Sequence, residues 1–85
     1  MLQVTIYTAM LCPYCHAAKR LLSEKGVDVN EIDTTFSRGR RAEMRDRSAG
    51  AHTVPQIFIG DVHVGGCDEL YALDEQGKLD ALLSA

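Results

Sequence analysis

The chain has 85 residues, of which 46% are hydrophobic and 25% charged, and its formal net charge is −3. This length and composition indicate one small globular domain, which we place over residues 1–85, and they argue against a disordered chain. No stretch approaches the roughly 20 apolar residues of a membrane span, and the N-terminus lacks a secretory signal, so we expect a cytoplasmic protein without membrane contact.

The first half of the chain alternates between strand and helix patterns. β-Branched and aromatic residues predict a strand at residues 3–8 that is apolar on both faces, as in a sheet covered on both sides. A helical period follows at residues 13–25 and ends at Gly26. Alternating residues predict a second strand at 27–33 with one polar face, and a second helix is capped by Ser37 and ended by Gly50.

The second half begins with Pro55 at the start of a strand. Residues 56–59 and 62–64 are short apolar runs joined by Gly60 and Asp61, which predicts a β-hairpin with a type I′ or II′ turn. Two short helices follow, separated by Gly77. The order βαβ, helix, ββα predicts an α/β fold with a four-stranded mixed sheet and helices on both faces.

Charge is concentrated in one segment, residues 38–47. This segment contains five arginines and carries a net charge of +3, against −6 for the rest of the chain. It could be a solvated helix face with short-range ion pairs, or a patch that attracts a small anion. An acidic domain without aromatic residues in its basic segment is a poor candidate for nucleic-acid binding, so we expect no nucleic-acid partner.

The motif Cys12-Pro13-Tyr14-Cys15 lies where the first strand meets the first helix. Unpaired N–H groups and the helix dipole favour a thiolate at Cys12, and a thiolate is the attacking species in thiol–disulfide exchange. Pro13 suits the first helical turn. Cys15, nearly one turn later, can reach Cys12, so the pair is interpreted as a nucleophile and a resolving thiol.

Other interpretations of the cysteines are weaker. The spacing Cys12-x-x-Cys15-His16 also fits haem attachment, but that requires export and a different strand and helix pattern. Zinc bound by Cys12, Cys15, His16 and Cys67 lacks the usual second pair of ligands. Inert core cysteines do not explain a CxxC motif at the start of a βαβ unit. His16 is expected on the helix surface.

The sequence resembles the glutaredoxin family, and within it the small bacterial dithiol class, over nearly the whole chain. The resemblance rests on Tyr7-Thr8, Cys12-Pro13-Tyr14-Cys15, Thr53-Val54-Pro55-Gln56-Ile57-Phe58-Ile59, and Gly65-Gly66-Cys67-Asp68 followed by Leu70. It implies a thioredoxin fold, with Cys12 and Cys15 as the catalytic residues. It implies glutathione as co-substrate, with no tightly bound cofactor and no metal.

The same resemblance implies a glutathione site. Tyr14 forms one wall, the Val54–Pro55 peptide is cis, and the Val54 backbone pairs with the cysteine portion of glutathione. The γ-glutamyl group is received by the backbone of Gly66 and Cys67 and by Asp68. Cys67 is then mainly a backbone donor, and as a third thiol at a helix start it is also a candidate for glutathionylation. The implied glutathione-binding residues are Tyr14, Arg41, Thr53, Val54, Pro55, Gly66, Cys67 and Asp68.

The sequence departs from the family pattern in front of the first cysteine. Many members carry a lysine where this chain has Ala9, and that lysine supports the thiolate and the glycyl carboxylate of glutathione. Arg41, followed by Arg38, is the expected replacement for its charge. Met10 and Leu11 replace polar residues and form an apolar rim that would favour protein substrates with apolar flanks.

The predicted function is that of a glutathione-dependent thiol–disulfide oxidoreductase. Its expected partners are glutathione and glutathionylated or disulfide-containing proteins, of which the family suggests ribonucleotide reductase, and the expected state is a monomer. Two alternatives remain. One is an iron–sulfur cluster carrier, against which Pro13 argues. The other is a thioredoxin-like redoxin reduced by a flavoprotein, which the loss of lysine at Ala9 keeps open.

Overall fold

A computed structural model describes residues 2–85 and contains a four-stranded sheet with flanking helices. The strands are β1 (Val4–Thr8), β2 (Val29–Asp33), β3 (Gln56–Ile59) and β4 (Val62–Gly65). The helices are α1 (Pro13–Glu24), α2 (Arg38–Arg47), α3 (Cys67–Glu75) and α4 (Leu79–Leu83). This is the predicted order of elements, and the mixed α/β architecture is confirmed.

The strand order β2-β1-β3-β4 places β1 and β3 in the centre of the sheet. β1 pairs parallel with β2 and antiparallel with β3, and β3 pairs antiparallel with β4. All five residues of β1 are buried, as its two apolar faces predict. Tyr7 pairs with Gln56, so the end of β1 lies beside the start of β3. The segments that follow β1 and precede β3 therefore meet at one end of the sheet.

The two faces of the sheet carry different cores. On one face, Ile6 and Ile57 pack with Leu22 of α1 and Leu70 of α3, and residues of α4 complete this cluster. On the other face, Tyr7 and Phe58 pack with Met44 of α2. Alternation along each strand directs neighbouring residues to opposite faces, which is why both faces need helices.

The second strand begins two residues later than predicted. Gly26 has φ +74° and follows α1, and the Val27 N–H donates to the Leu22 carbonyl at 3.1 Å. This is a Schellman C-cap, in which the backbone of Val27 completes the helix end instead of the sheet ladder. Val27 is buried in the core, so its apolar character reflects packing and not strand pairing.

Two turns refine the predictions. α2 ends at Arg47, and Ala49 with φ +57° precedes Gly50, so the first left-handed residue after this helix is not the glycine. In the hairpin, φ is positive at Gly60 but not at Asp61, which excludes a type I′ turn. Within residues 2–85, no helix is long and apolar enough to cross a bilayer.

Candidate active site

Cys12 is the N-cap residue of α1, as predicted. The Cys15 N–H donates to the Cys12 Sγ at 3.2 Å, so the sulfur occupies the place of a capping oxygen. Pro13 occupies the first turn of the helix. Hydrogen bonds from backbone N–H groups stabilise a charged sulfur, and Cys12 is partly exposed. This position suits an attacking thiolate.

Cys15 lies one turn further along α1 and is only 2% exposed. Burial raises the pKa of the Cys15 thiol to about 12, and its hydrogen bond to the Cys12 side chain acts in the same direction. Cys15 is therefore a protonated thiol at neutral pH. Both cysteines are unpaired in this structure, which is the reduced form.

The loop that precedes β3 faces Cys12. The Val54–Pro55 peptide is cis, as the family resemblance implies. The Cys12 thiol points to the Val54 carbonyl, with an Sγ to oxygen distance of 3.8 Å. Within residues 2–85, the Val54 N–H has no hydrogen-bond partner. The backbone of Val54 is thus directly beside the sulfur of Cys12 and retains an unused donor.

A cavity of about 180 Å³ borders this loop. It brings together seven of the eight residues predicted for the glutathione site, and Glu69 is the additional one. Its lining consists of Tyr14, Thr53, Val54, Pro55, Gly66, Cys67, Asp68 and Glu69. Three segments that are distant in sequence therefore share one concave surface.

α3 begins at this cavity. The first turn of a helix leaves its N–H groups without intrahelical partners, and these groups attract an anion. Glu69 accepts a hydrogen bond from the Gly66 N–H at 2.7 Å, which uses one of these donors. Burial raises the pKa of the Cys67 thiol, with help from the charge of Asp68. Cys67 is buried and protonated, in keeping with a backbone role.

Arg41 lies outside this cavity. It lines a neighbouring cavity of about 300 Å³, together with Ala9, Arg45, His52 and Val54 among others. Its Nε and Nη2 donate to the Thr34 and Thr35 carbonyls at 3.1 and 2.9 Å. Arg38, the second candidate, lines neither cavity. Because Val54 borders both cavities, a ligand held by its backbone can extend into each.

The segment before Cys12 is strongly exposed. Leu11 is 92% and Met10 57% exposed, and Phe36 on a neighbouring loop is 91% exposed. The Met10 N–H donates to the Thr35 Oγ1 at 2.8 Å, which ties the two loops together. Leu11 has φ +58°, a conformation that is costly for a branched side chain. The predicted apolar rim is present and borders Cys12.

Several residues near the site were not predicted. Glu69 could have been found, because a glutamate three residues after a helix cap is a capping signal. Four others could not have been found from the sequence, because only the strand register and the helix orientation bring them to the site. They are Gln56, His63, Arg45 and His52. Gln56 is 4% exposed and donates to Thr53 of the cavity.

The zinc alternative has no site in this structure. Among residues 2–85, no group of three or more His, Cys, Asp or Glu side chains is close enough to share a metal ion. His16, one of the four side chains considered for zinc, is exposed on the surface of α1, as expected.

Known proteins resemble this chain in sequence and structure. The family model described as Glutaredoxin matches residues 4–64. A curated Glutaredoxin of Pseudomonas aeruginosa is 60% identical over 82 residues, 96% of each chain. Glutaredoxin 3 of Escherichia coli K12 is 57% identical over 83 residues, 98% of this chain and 99% of the relative. The crystal structure of a buckwheat glutaredoxin–glutathione complex is 30% identical with a TM-score of 0.85, over 98% of this chain and 77% of the other.

Proposed function

This chain belongs to the glutaredoxin family of thiol–disulfide oxidoreductases with the thioredoxin fold, and we propose that it uses glutathione as its electron donor. The observation that carries the proposal is the contact of Cys12 Sγ with the Val54 carbonyl at 3.8 Å. An extended ligand that pairs with the Val54 backbone would place its own sulfur beside the nucleophile. The buckwheat relative was crystallised with glutathione, which supports the same ligand here.

The first proposed route uses only Cys12. Its thiolate attacks the glutathionyl sulfur of a mixed disulfide, a new sulfur–sulfur bond forms, and the substrate leaves as a thiolate that takes a proton from water. A second glutathione thiolate then attacks the glutathionyl group on Cys12. Glutathione disulfide leaves, and the Cys12 thiolate is regenerated with no net change in the protein.

The second proposed route also uses Cys15. The Cys12 thiolate attacks a protein disulfide, so that one substrate sulfur leaves as a thiolate and the other stays bonded to Cys12. Cys15 then gives up its proton as it attacks the Cys12 sulfur, the second substrate sulfur leaves as a thiol, and a Cys12–Cys15 disulfide remains. Burial holds Cys15 protonated, with a pKa of about 12, so it does not compete as the first nucleophile. Two glutathione molecules then reduce this disulfide, leave as glutathione disulfide and restore the thiols of Cys12 and Cys15.

We place the two ends of glutathione in the two cavities beside Val54. The γ-glutamyl carboxylate meets the N–H groups at the start of α3, and Asp68 accepts from the amino group. The glycyl carboxylate extends towards the cavity that contains Arg41 and Ala9. Within residues 2–85, Arg41 forms no salt bridge, so its charge is not neutralised by a protein carboxylate. It can replace the cation that the family carries at the position of Ala9.

The proposed protein substrates carry glutathionyl groups or disulfides next to apolar side chains, which would contact Met10 and Leu11. Ribonucleotide reductase is a candidate among them. We propose that residues 1–85 act as one monomeric domain in the cytoplasm, where the glutathione pool is reducing. The basic segment then serves a small anionic ligand, not nucleic acid.

Turnover of a glutathione mixed disulfide, with glutathione and glutathione reductase supplying electrons, tests the proposal. We expect the wild type and Cys15→Ser to be active and Cys12→Ser to be inactive, because the first route needs Cys12 alone. For a protein disulfide, Cys15→Ser should lose most of its activity. Folded, reduced wild type without turnover would overturn glutathione dependence, and activity in Cys12→Ser would overturn the assignment of the nucleophile.

A further inference from the structure

Gln56 is a buried polar residue next to the site that has no role in the reaction described above. It follows Pro55 at the start of β3 and is 4% exposed. Its Nε2 donates to the Thr53 carbonyl at 3.0 Å and to the Thr53 Oγ1 at 3.2 Å. A carbonyl oxygen can only accept a hydrogen bond, so the amide nitrogen must face Thr53. This chemistry fixes the orientation of the Gln56 amide.

The oxygen of the Gln56 amide determines which ring nitrogen of His63 carries the proton. The Gln56 Oε1 lies 2.7 Å from the His63 Nε2. Because this oxygen can only accept, the His63 Nε2 must carry a proton, and the neutral ring is the Nε2–H tautomer. The ring is also stacked on Phe58, with centroids 4.8 Å apart and planes at 24°. Both contacts fix the ring that holds the Gln56 oxygen.

The backbone brings these side chains together through the pairing of β3 with β4. Phe58 pairs with His63, whereas Ile57 pairs with Gly65, so the ladder has a bulge at this point. A bulge bends its strand and redirects side chains. A continuous set of hydrogen bonds thus runs from the edge strand β4 through Gln56 to Thr53, whose carbonyl belongs to the peptide that precedes Val54.

We propose that Gln56 and His63 are positioning residues that hold the Thr53–Val54 peptide in the orientation that receives glutathione. The proposal rests on the proposed function, because it assumes that the Val54 backbone pairs with this ligand. The Thr53–Val54 peptide contains the Thr53 carbonyl and the Val54 N–H. Gln56 fixes this carbonyl, and the N–H is the unused donor described above. Rotation of this peptide would change the direction in which the Val54 N–H points.

The test compares Gln56→Met, which keeps the length of the side chain without its hydrogen bonds, with Gln76→Met as the control on an exposed glutamine of the α3 end. We expect Gln56→Met to raise KM for a glutathione mixed disulfide about fivefold, the factor that one net hydrogen bond provides, with kcat changed less than about twofold. The rate of Cys12 alkylation by iodoacetamide should not change, because Cys12 keeps its own contacts.

His63→Phe provides a second variant. It keeps an aromatic ring stacked on Phe58, at an exposed position of β4, and removes the hydrogen bond to Gln56. It should raise KM in the same direction, and in the Gln56→Met background it should have no further effect. Nitrogen NMR of the imidazole should show the Nε2–H tautomer in the wild type and a mixture of tautomers in Gln56→Met. This readout does not depend on turnover.

The outcomes separate the two proposals. Wild-type turnover with an unchanged KM in both variants would overturn the positioning role and leave glutathione dependence intact. An Nδ1–H tautomer in the wild type would overturn the hydrogen-bond network. A folded wild type without turnover would overturn the proposed function, and the positioning role would fall with it.

Discussion

Cys12 and Cys15 are of the same residue type, three positions apart, yet the structure gives them different chemical environments. Cys12 caps α1 and is partly exposed, whereas Cys15 is 2% exposed. The Cys12 sulfur takes part in two different contacts with Cys15, one to its backbone and one to its side chain. The Cys15 N–H donates to the Cys12 sulfur, while the Cys15 thiol is held protonated by burial and by that sulfur. We expect this difference in environment to determine the order in which the two cysteines attack.

The raised pKa of Cys15 predicts a loss of stability at alkaline pH. An unfolded chain releases this proton near the ordinary value of 9.0, whereas the folded protein keeps it until about 12. Between these values the folded state binds more protons, so the free energy of unfolding falls as pH rises, by up to about 1.4 kcal/mol per pH unit. Below pH 9 the contribution of the protonated Cys15 thiol to the free energy of unfolding is fully present.

We expect Cys15→Ala to show a shallower decline than the wild type in this window. Urea denaturation of both proteins under reducing conditions, from about pH 8 to about pH 11, measures the two slopes. Tyr7, whose pKa burial also raises, contributes equally to both proteins and therefore cancels. Equal slopes would show that Cys15 titrates as an ordinary thiol.

The sequence alone predicts the roles of individual residues when those roles depend only on neighbouring residues in the chain. The roles of Cys12 and Pro13 can be predicted from the CxxC motif itself. The position of Pro55 can be predicted because it precedes a strand pattern. The roles of Gln56 and His63 cannot be predicted in this way, since a glutamine and a histidine seven residues apart indicate nothing until the bulge in β4 brings them to 2.7 Å. Arg41 is also ambiguous in sequence, because its carbonyl contacts depend on the loop before α2.

Among the elements, the end of β1 is held to β2 by a buried hydroxyl. Thr8 is 2% exposed, and its Oγ1 donates to Glu31 at 2.8 Å. Lys19 of α1 forms a salt bridge with the same carboxylate at 3.1 Å. The hydrogen bond from Thr8 is the largest cause that lowers the pKa of Glu31, and Lys19 adds to it. The three side chains join β1, β2 and α1 just before the active-site loop.

Thr8→Val should therefore raise the pKa of Glu31 towards its ordinary value of 4.5, because it keeps the shape and removes the donor. Lys19→Gln is the matched control and should raise this pKa less. In the wild type, the stabilisation by Glu31 is present above pH 4.5 and is lost as pH falls through its lowered pKa, so Thr8→Val should lose less stability on acidification. Carbon NMR titration of the Glu31 carboxyl measures both shifts, and a larger shift in Lys19→Gln would contradict this ranking.

The sequence patterns predict some ends of helices and strands correctly and others not. Gly26 and Gly77 end their helices as predicted, since each has a positive φ directly after the C-cap residue. Val27 and Ala49 deviate for tertiary reasons. The backbone of Val27 completes the cap of α1, and the Gly50 N–H donates to the Arg45 carbonyl at 2.7 Å, which places Ala49 in the left-handed position.

For the whole molecule, the sheet order explains why the site exists. β1 and β3 are central neighbours and run antiparallel, so the loop after β1 and the loop before β3 meet. β4 then returns beside β3 and leads into α3 at the same end. The sequence predicts a mixed sheet of four strands, but the order of the strands depends on long-range pairing that periodicity does not encode.

Charge also has to be judged on the whole molecule. The basic segment combines structural contacts with two arginines that line the cavity beside Val54. Arg47 covers the ring of Phe58 at 4.3 Å and donates to the Tyr7 hydroxyl, and Arg40 pairs with Glu43, which are structural roles. Arg41 and Arg45 line the cavity beside Val54, where a small anion can approach. An acidic protein can thus present a local positive site to an anionic ligand.

Trapping the covalent intermediate shows whether Cys12 exchanges disulfides with glutathione held at Val54. Cys15→Ser is incubated with glutathione disulfide, digested and analysed by mass spectrometry, with Cys12→Ser as the control. We expect one glutathionyl group, on Cys12, none on the buried Cys67, and none on the control. A glutathionyl group on Cys67, or none on Cys12 in the folded and reduced protein, would contradict this expectation.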